Sequence, residues 1–235
     1  MDHLWRWTHK RMKEKIGLFG GCFNPPHNAH IKIIHKALNY FDFSKLIVMP
    51  VYIPPHKNID DSFSPEMRYF MTGVSLYYFS PEELDKFYNP LWDKEKWQTF
   101  KNFYEKNFNK NHNPKIILSD YEIKKETVSY TIDTVKYLKT IYENSEIFVI
   151  IGMDEAKILE SWKNYEELIK LANFVVAKRP GFNEKEILSH FKFLQTFPFE
   201  ETNLSSSIIR KKIKNKEDIS TLVPEVLNLL IQHFL

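Results

Sequence analysis

The chain has 235 residues, of which 43% are hydrophobic, with a net charge of +3 and a single cysteine. This length allows one large domain with a buried core, and the single cysteine excludes an intrachain disulfide. The small net charge does not indicate a nucleic-acid-binding protein, and no segment approaches the roughly 18 uninterrupted apolar residues of a transmembrane helix. We therefore expect a protein of a reducing compartment, the cytoplasm or alternatively the nucleus, without nucleic acid or a membrane as partner.

The segment 16–30, IGLFGGCFNPPHNAH, is the most informative part of the chain. It begins as an apolar strand and breaks at Gly20 and Gly21. Two prolines follow, and the next helix begins with His27 and His30. The free N–H groups and partial positive charge of a first helical turn favour phosphate, and glycine lets the backbone approach a ligand closely. We therefore predict an anion site here; the alternative is a plain strand–helix connection with solvent-facing histidines.

Strands and helices alternate along the rest of the chain. Apolar runs bounded by turn residues predict further strands at 44–50, 115–119, 146–151, 172–177 and 194–199. Capping residues and apolar periodicity predict helices that include 64–78, 131–142, 168–171, 205–213 and a last one from 224. The charged segment 121–126 is interpreted as an extension of the sheet edge. This alternation is typical of an α/β fold with a mostly parallel sheet and helices on both faces.

Two segments differ in composition from the main domain, which we assign to 15–235. Residues 1–14 are basic and aromatic and lack the apolar core of a signal peptide, so we expect an N-terminal extension. Residues 80–113 are rich in Asn and Lys, and their aromatic residues recur at helical spacing: Trp97, Phe100, Phe103, Tyr104 and Phe108. We interpret this segment as a helical insertion with an exposed turn at 109–114; the alternative is an unstructured insertion.

Polar and charged residues follow the predicted strands. Ligands of such sheets lie beyond the carboxyl ends of the strands, where the winding direction reverses. Four groups lie at these positions: residues 20–30, His56 with Lys57, Gly152 with Asp154, and Lys178 with Arg179. The start of a later helix, Ser205 to Arg210, adds a second anion candidate, because serine caps N–H groups and arginine is a forked donor for phosphate. Each group alone also fits an ordinary turn or helix cap.

Two phosphate-type sites without a nucleophile–base pair indicate nucleotidyl or phosphoryl transfer that depends on positioning and charge. The chain lacks GxxxxGK[ST] and GxGxxG, which argues against P-loop enzymes and classical dehydrogenases. Cys22 is interpreted as a buried or half-buried thiol rather than a nucleophile. Of only six glycines, Gly20, Gly21, Gly152 and Gly181 follow predicted strands, so we expect these turns to need glycine's backbone freedom.

Several motifs resemble those of one enzyme superfamily. GGCFNPPHNAH (20–30) resembles the GGxF(D/N)PxHxGH signature of HxGH-type nucleotidyltransferases, and LSSSIIR (204–210) resembles their ISSTxxR signature. Between and after them, IPPHK, VSYTIDT, IIGMD, SW, KRPGF and LVPEVL follow the order of bacterial-type nicotinate-mononucleotide adenylyltransferases. The resemblance spans the chain from Lys15 except 80–113. It implies a Rossmann-like, doubly wound sheet and the reaction of ATP with nicotinate mononucleotide to give the deamido form of NAD and pyrophosphate.

The resemblance also implies roles for individual residues. His27, His30 and Arg210 would be catalytic, with His30 stabilising the transition state. Residues that would bind ATP or lie near its phosphates are Gly20, Gly21, Cys22, Phe23, His56, Lys57, Gly152, Asp154, Arg179, Ser205 and Ser207. Thr131 and Lys163, through backbone N–H groups, and Trp162, through stacking, would hold the nicotinate ring and its carboxylate. Mg²⁺ would bind through the ATP phosphates, without protein ligands.

The chain departs from the signature at three positions. Ala29 replaces the second glycine of HxGH, which at a positive-φ site would cost about 1 kcal/mol or more. Cys22 replaces a hydroxyl residue, and Asn24 is more frequent in eukaryotic relatives. The alternatives are a preference for nicotinamide mononucleotide, another HxGH enzyme such as pantetheine-phosphate adenylyltransferase or a cytidylyltransferase, and a non-catalytic nucleotide-binding protein. The SYT and Trp162 segments argue against another HxGH enzyme. The pair His27 and His30, together with Arg210, argues against a non-catalytic protein. The sequence leaves open whether the protein forms a homo-oligomer.

Overall fold

The computed structural model describes residues 13–56, 62–178, 184–199 and 204–234. Two of the predicted site residues, Lys57 and Arg179, lie outside these ranges, as do Gly181 and residues 1–12 of the predicted extension. Within the described ranges, no helix is long and apolar enough to cross a membrane.

Six strands form one sheet in the order β3-β2-β1-β4-β5-β6. They are β1 Lys15–Gly21, β2 Lys45–Pro50, β3 Ile116–Leu118, β4 Glu146–Gly152, β5 Asn173–Ala177 and β6 Gln195–Phe197. All five pairings between neighbouring strands are parallel. The chain winds outward in one direction from β1 to β3 and in the other from β4 to β6, so the winding reverses between β1 and β4. The predicted α/β, Rossmann-like, doubly wound fold is confirmed.

Helices cover both faces of this sheet. They are α1 Asn28–Tyr40, α2 Pro65–Ser75, α3 Lys94–Asn111, α4 Tyr121–Lys125, α5 Thr131–Ile141, α6 Met153–Lys157, α7 Tyr165–Leu171, α8 Glu184–His190, α9 Ser206–Lys214 and α10 Glu225–Phe234, with 3₁₀ helices at Glu83–Phe87 and Leu159–Ser161. Strand β4 shows how the sheet divides the core. Phe148 and Ile150 pack with α1, α2, α3, α9 and α10, whereas Ile147, Val149 and Ile151 pack with α5 to α8. This alternation follows from the two-residue repeat of a strand.

The segment 80–113 contributes a helix to the first of these cores. On α3, Trp97, Phe100 and Tyr104 are buried, and the Trp97 ring contacts Phe234 of α10 edge to face, with the centroids 5.8 Å apart. The Tyr104 hydroxyl donates to the Phe79 carbonyl at 2.9 Å. The predicted amphipathic helix is therefore α3, and the alternative of an unstructured segment is wrong.

Three predicted boundaries need correction. Residues 121–126 do not extend the sheet edge, because 121–125 form helix α4, where Lys124 pairs with Asp120 at 2.8 Å across one helical turn. Helix α2 ends at Ser75 rather than near 78, because Tyr77 takes a left-handed φ of 51° and a Schellman motif closes the helix. Helix α3 continues to Asn111, so the first half of the predicted turn 109–114 is helical.

Candidate active site

A cavity of about 430 Å³ lies at the carboxyl ends of β1 and β4, where the winding of the sheet reverses. Every predicted site residue that the structure describes lines it: His27, His30, Arg210, Gly20, Gly21, Cys22, Phe23, His56, Thr131, Gly152, Asp154, Trp162, Lys163, Ser205 and Ser207. Lys178 does not belong to its lining. The fold therefore brings side chains from both ends of the chain to one ligand-sized space.

The two histidines of the β1–α1 turn form a stacked pair. His27 is the N-cap of α1 and is buried, with 3% of its surface exposed. Its backbone N–H donates to Nδ1 of His30 at 3.3 Å, and the two rings stack with centroids 3.6 Å apart. Because Nδ1 of His30 accepts this bond, the neutral ring carries its proton on Nε2. His30 is thereby oriented as a hydrogen-bond donor, which suits a phosphate oxygen.

The N-terminus of α1 offers fewer free N–H groups than the sequence predicts. The Asn28 N–H donates to the Leu222 carbonyl at 3.0 Å, and the Asn28 side-chain amide donates to the Thr221 carbonyl at 3.0 Å. One first-turn N–H is thus used to anchor the LVPEVL segment against the turn after β1. The N–H of the first residue of α1 is therefore not available to a ligand.

The glycines of the site serve close packing rather than unusual backbone angles. None of Gly20, Gly21 and Gly152 has a positive φ, so the expected need for backbone freedom is wrong at these three positions. A Cβ at Gly21 would lie 3.1 Å from Cζ of Phe23, and one at Gly152 would lie 2.6 Å from Oδ1 of Asp154. At Gly20 a Cβ would meet only a carbonyl oxygen at 3.9 Å, so the missing side chain leaves cavity space open for a ligand.

The departures from the HxGH signature fit the structure. Ala29 lies within α1 and has no positive φ, so the expected backbone strain is absent. Its buried side chain forms part of the cavity wall. Positive φ occurs instead at Phe23, at 47°, where the fully buried ring packs against His30 with centroids 5.0 Å apart. Cys22 beside it is a half-buried thiol, as predicted.

The start of α9 is joined to the turn after β1. Ser205 is the N-cap of α9, and its hydroxyl accepts from the Ile208 N–H at 3.4 Å. The Ser206 hydroxyl donates to the Pro25 carbonyl at 2.8 Å. Nη1 of Arg210 donates to the Asn24 carbonyl at 2.8 Å. Arg210 is the fifth residue of α9, and it lines the same cavity as the histidine pair.

A buried arginine that sequence reasoning missed supports the floor of the site. Arg68 of α2 is 1% exposed, and its guanidinium donates to the carbonyls of Cys22 at 2.8 Å, Val51 at 2.7 Å and Tyr52 at 2.9 Å. One side chain thus fixes the turn after β1 relative to the loop after β2. Its guanidinium also places a positive charge within hydrogen-bonding distance of the backbone of the turn after β1. The signal in the sequence is an arginine within an otherwise apolar helical segment.

The other end of the cavity is built by the segment 128–134 and the chain around Trp162. The Ser129 N–H donates to the Ile53 carbonyl at 2.8 Å, and the Ser129 hydroxyl accepts from the Tyr52 N–H at 3.0 Å. Nζ of Lys163 lies 4.1 Å from the centre of the Tyr130 ring. Sequence reasoning overlooked Tyr130 as a cavity residue, although it lies within the SYT motif.

Glu122 is the second overlooked residue of the cavity lining. It is a buried carboxyl that accepts a hydrogen bond from the Thr134 hydroxyl. Burial raises the pKa of Glu122, and the nearby hydroxyls of Thr134 and Ser129 oppose the shift. Interpreting 121–126 as an exposed strand edge concealed this residue.

A resident metal ion would need several His, Cys, Asp or Glu side chains close together within the described ranges. In those ranges, no group of three or more His, Cys, Asp or Glu side chains could hold a metal ion. Two acidic residues of the cavity lining, Asp154 and Glu155, lie in the first turn of α6, where Glu155 Oε2 accepts from the Gly152 N–H at 3.1 Å. Carboxylates at that position interact favourably with the helix dipole.

Comparison with known proteins identifies the family. Residues 18–212 match the model of the cytidylyltransferase-like family. The chain is 36% identical over 224 residues to a probable nicotinate-nucleotide adenylyltransferase of Fusobacterium nucleatum, covering 93% of this chain and 97% of the relative. It is 34% identical over 212 residues to a probable nicotinate-nucleotide adenylyltransferase of Campylobacter jejuni, covering 90% and 94% of the two chains.

The same fold occurs in solved structures. A structure titled as Plasmodium falciparum nicotinic acid mononucleotide adenylyltransferase complexed with NaAD superposes with a TM-score of 0.66 at 19% identity, covering 94% of this chain and 97% of that one. A second structure of that protein, complexed with APC, gives 0.65 at 20% identity, with 94% and 96% coverage. The resemblance drawn from the motifs is confirmed: the chain belongs to the cytidylyltransferase-like family and, within it, to the nicotinate-nucleotide adenylyltransferases.

Proposed function

We propose that this protein transfers the adenylyl group of ATP to nicotinate mononucleotide, forming the deamido form of NAD and releasing pyrophosphate. The proposal rests on one observation: residues from the beginning of α1 and from the first turns of α9 line the same cavity. The His27/His30 pair at α1 and Arg210 of α9 line one space at the switch point of the sheet, and Arg210 is bonded to the turn that precedes the pair. Helix starts with such donors are suited to a triphosphate.

The proposed reaction is an in-line displacement at phosphorus. A phosphate oxygen of the mononucleotide bonds to the α-phosphorus of ATP, and the bond from that phosphorus to the oxygen bridging to the β-phosphate breaks. The attacking oxygen is already anionic, so the protein needs no general base. Its contribution is orientation and stabilisation of the charge that moves onto the leaving pyrophosphate.

The donors are assigned along the triphosphate. His30, whose Nδ1 accepts a backbone N–H and whose Nε2 is therefore a donor, would stabilise the transferring α-phosphate. Arg210 and Ser207 would hold the β- and γ-phosphates as charge develops there. Mg²⁺ would arrive bound to the ATP phosphates and neutralise part of their charge. Gly152 and Asp154, at the start of α6, would contact the adenosine.

The opposite end of the cavity would hold the pyridine ring. Trp162 would stack on it, and the backbone N–H groups of Thr131 and Lys163 would bind its carboxylate. The preference for nicotinate over nicotinamide is supported by positive charge at this end. The Lys163 ammonium lies over the Tyr130 ring, and Lys163 and Lys125 lie 3.6 and 3.9 Å from Asp133, so two ammonium groups surround this one carboxylate.

Pyrophosphate release with ATP and each mononucleotide in parallel tests the function. We expect nicotinate mononucleotide to be used with a kcat/KM at least about tenfold above nicotinamide mononucleotide, since a charged carboxylate gains more than an amide from the positive subsite. Removing Mg²⁺ with a chelator should abolish turnover. Equal use of both mononucleotides would contradict the selectivity. Turnover of pantetheine phosphate, or of neither mononucleotide, would contradict the proposed reaction.

Replacing Trp162 with alanine should raise KM for the mononucleotide about tenfold, because stacking on the pyridinium ring is lost. KM for ATP should change less than about twofold, since the ring lies away from the phosphate donors. Trp162→Phe keeps an aromatic face and should recover most of the affinity. Steady-state kinetics with each substrate varied separately measure both effects, and a change confined to KM for ATP would place the ring elsewhere.

A further inference from the structure

Glu122 is a buried acid of the cavity that the proposed reaction does not use. It is 6% exposed and lines the cavity. Oε1 accepts from the Thr134 hydroxyl, whereas Oε2 is buried and has no hydrogen-bond partner among the residues that the structure describes. A buried carboxyl with one unpaired oxygen lowers the stability of the fold, and such a group in a cavity wall is a candidate for a role in the site.

Three parts of the cavity wall meet at this side chain. Thr134 lies on α5, one turn after Thr131, the first residue of that helix. Ser129 lies close enough to lower the pKa of the Glu122 carboxyl. Ser129 in turn is bonded to the loop after β2 through Tyr52 and Ile53. Glu122 therefore joins α4, the first turn of α5 and the chain that carries His56.

We propose that Glu122 is a positioning residue of the mononucleotide subsite, which fixes the first turn of α5 through Thr134 and so places the Thr131 N–H for the nicotinate group. The inference deepens the proposed function and depends on it. Thr131 and Thr134 are three residues apart on one helix, so the bond at Thr134 restrains the rotation of the turn that presents Thr131. No substrate atom needs to touch Glu122 for this role.

The charge of Glu122 gives the role a distinctive signature. Charged groups near it are Lys125 on its own helix and Asp133 on α5, and His56 on the loop after β2 lines the same cavity. Burial raises the pKa of Glu122, so its carboxyl keeps its proton to higher pH than an exposed acid. Once ionised, it would repel the nicotinate carboxylate. Binding of nicotinate mononucleotide should therefore weaken as the pH rises through that pKa.

Isothermal calorimetry on the full chain, with nicotinate mononucleotide and with Mg²⁺–ATP in separate titrations, tests the inference. Glu122→Ala should weaken mononucleotide binding about tenfold and ATP binding less than about twofold, because the supported turn serves one subsite. Glu122→Gln keeps the acceptor and the shape and should stay within about threefold of the parent. Glu126→Gln, an exposed acid of the same segment, is the matched control and should change nothing.

The pH profile separates positioning from general stability. In the unsubstituted protein, the ratio of the affinity for nicotinate mononucleotide to that for nicotinamide mononucleotide should fall with rising pH. In Glu122→Gln the ratio should stay constant. Because both ligands carry the same phosphate, the titration of that phosphate does not affect the ratio. Equal weakening of both substrates in Glu122→Ala, no weakening of either, or parallel pH profiles would overturn the role. If the unsubstituted protein bound the mononucleotide and showed these differences between variants, but did not catalyse the reaction, the proposed reaction would be overturned and the role of Glu122 would stay supported. A parent that binds no mononucleotide would overturn both.

Discussion

Replacing His30 with alanine is expected to lower kcat by about 100-fold or more, equivalent to roughly 3 kcal/mol of transition-state stabilisation. The His30 ring is held by the His27 backbone N–H at Nδ1 and by stacking on the His27 ring, so its Nε2 donor is pre-oriented. A pre-oriented donor stabilises developing charge without reorganisation during the reaction. Because this contact should strengthen in the transition state, KM for ATP should change much less than kcat.

The control for this variant comes from the same helix. His35→Gln replaces a histidine of α1 that does not line the cavity, and should leave kcat unchanged. Thermal unfolding should show that His30→Ala keeps its fold, with a loss of about 1 kcal/mol from the missing acceptor for the His27 N–H. Near-normal turnover in His30→Ala would remove His30 from the catalytic groups. An equal loss in His35→Gln would attribute the effect to α1 as a whole.

Much of the fold could be predicted because parallel strands buried on both faces leave long apolar runs. The run at 146–151 corresponds to β4, Glu146–Gly152, and the run at 44–50 to β2, Lys45–Pro50. The position of the turn after β1 at the cavity could be predicted because its residues are contiguous in the sequence. The link between the turn and α9 could not be predicted from spacing, since Arg210 and Asn24 are 186 residues apart. Only the resemblance to a family placed them together.

The two charged residues that sequence reasoning missed, Arg68 and Glu122, were missed for the same reason: each is buried, and its hydrogen-bond partners lie elsewhere in the sequence. Arg68 and Glu122 are charged in sequence, so they suggest exposed positions. In the fold, Arg68 is compensated by three backbone carbonyls and Glu122 by a threonine hydroxyl on another helix. The short helix α4 was interpreted as strand because five residues show too little of a 3.6-residue period. The secondary structure of such short segments depends on tertiary contacts, which the local sequence pattern does not show.

Replacing Arg210 with alanine is expected to lower kcat/KM for ATP by about 100-fold or more, since a charge-assisted, bidentate donor to phosphate is lost. The variant also loses the bond to the Asn24 carbonyl, so the turn before the histidine pair is released from α9. Arg210→Lys separates these two effects. Lysine keeps the positive charge but lacks the planar guanidinium with its paired N–H donors. This variant should therefore recover part of the ATP affinity while kcat stays low.

Lys211→Ala is the matched control, because Lys211 is the exposed neighbour of Arg210 and does not line the cavity. It should leave kcat/KM within about twofold, as expected for a surface charge. If Lys211→Ala lost as much as Arg210→Ala, long-range charge rather than a directed contact would account for triphosphate binding. If Arg210→Ala instead retained most of its activity, Arg210 would have no direct role in binding the triphosphate. The start of α9 would then serve only to buttress the turn after β1, and the leaving pyrophosphate would have to be held by the His27/His30 side of the cavity alone.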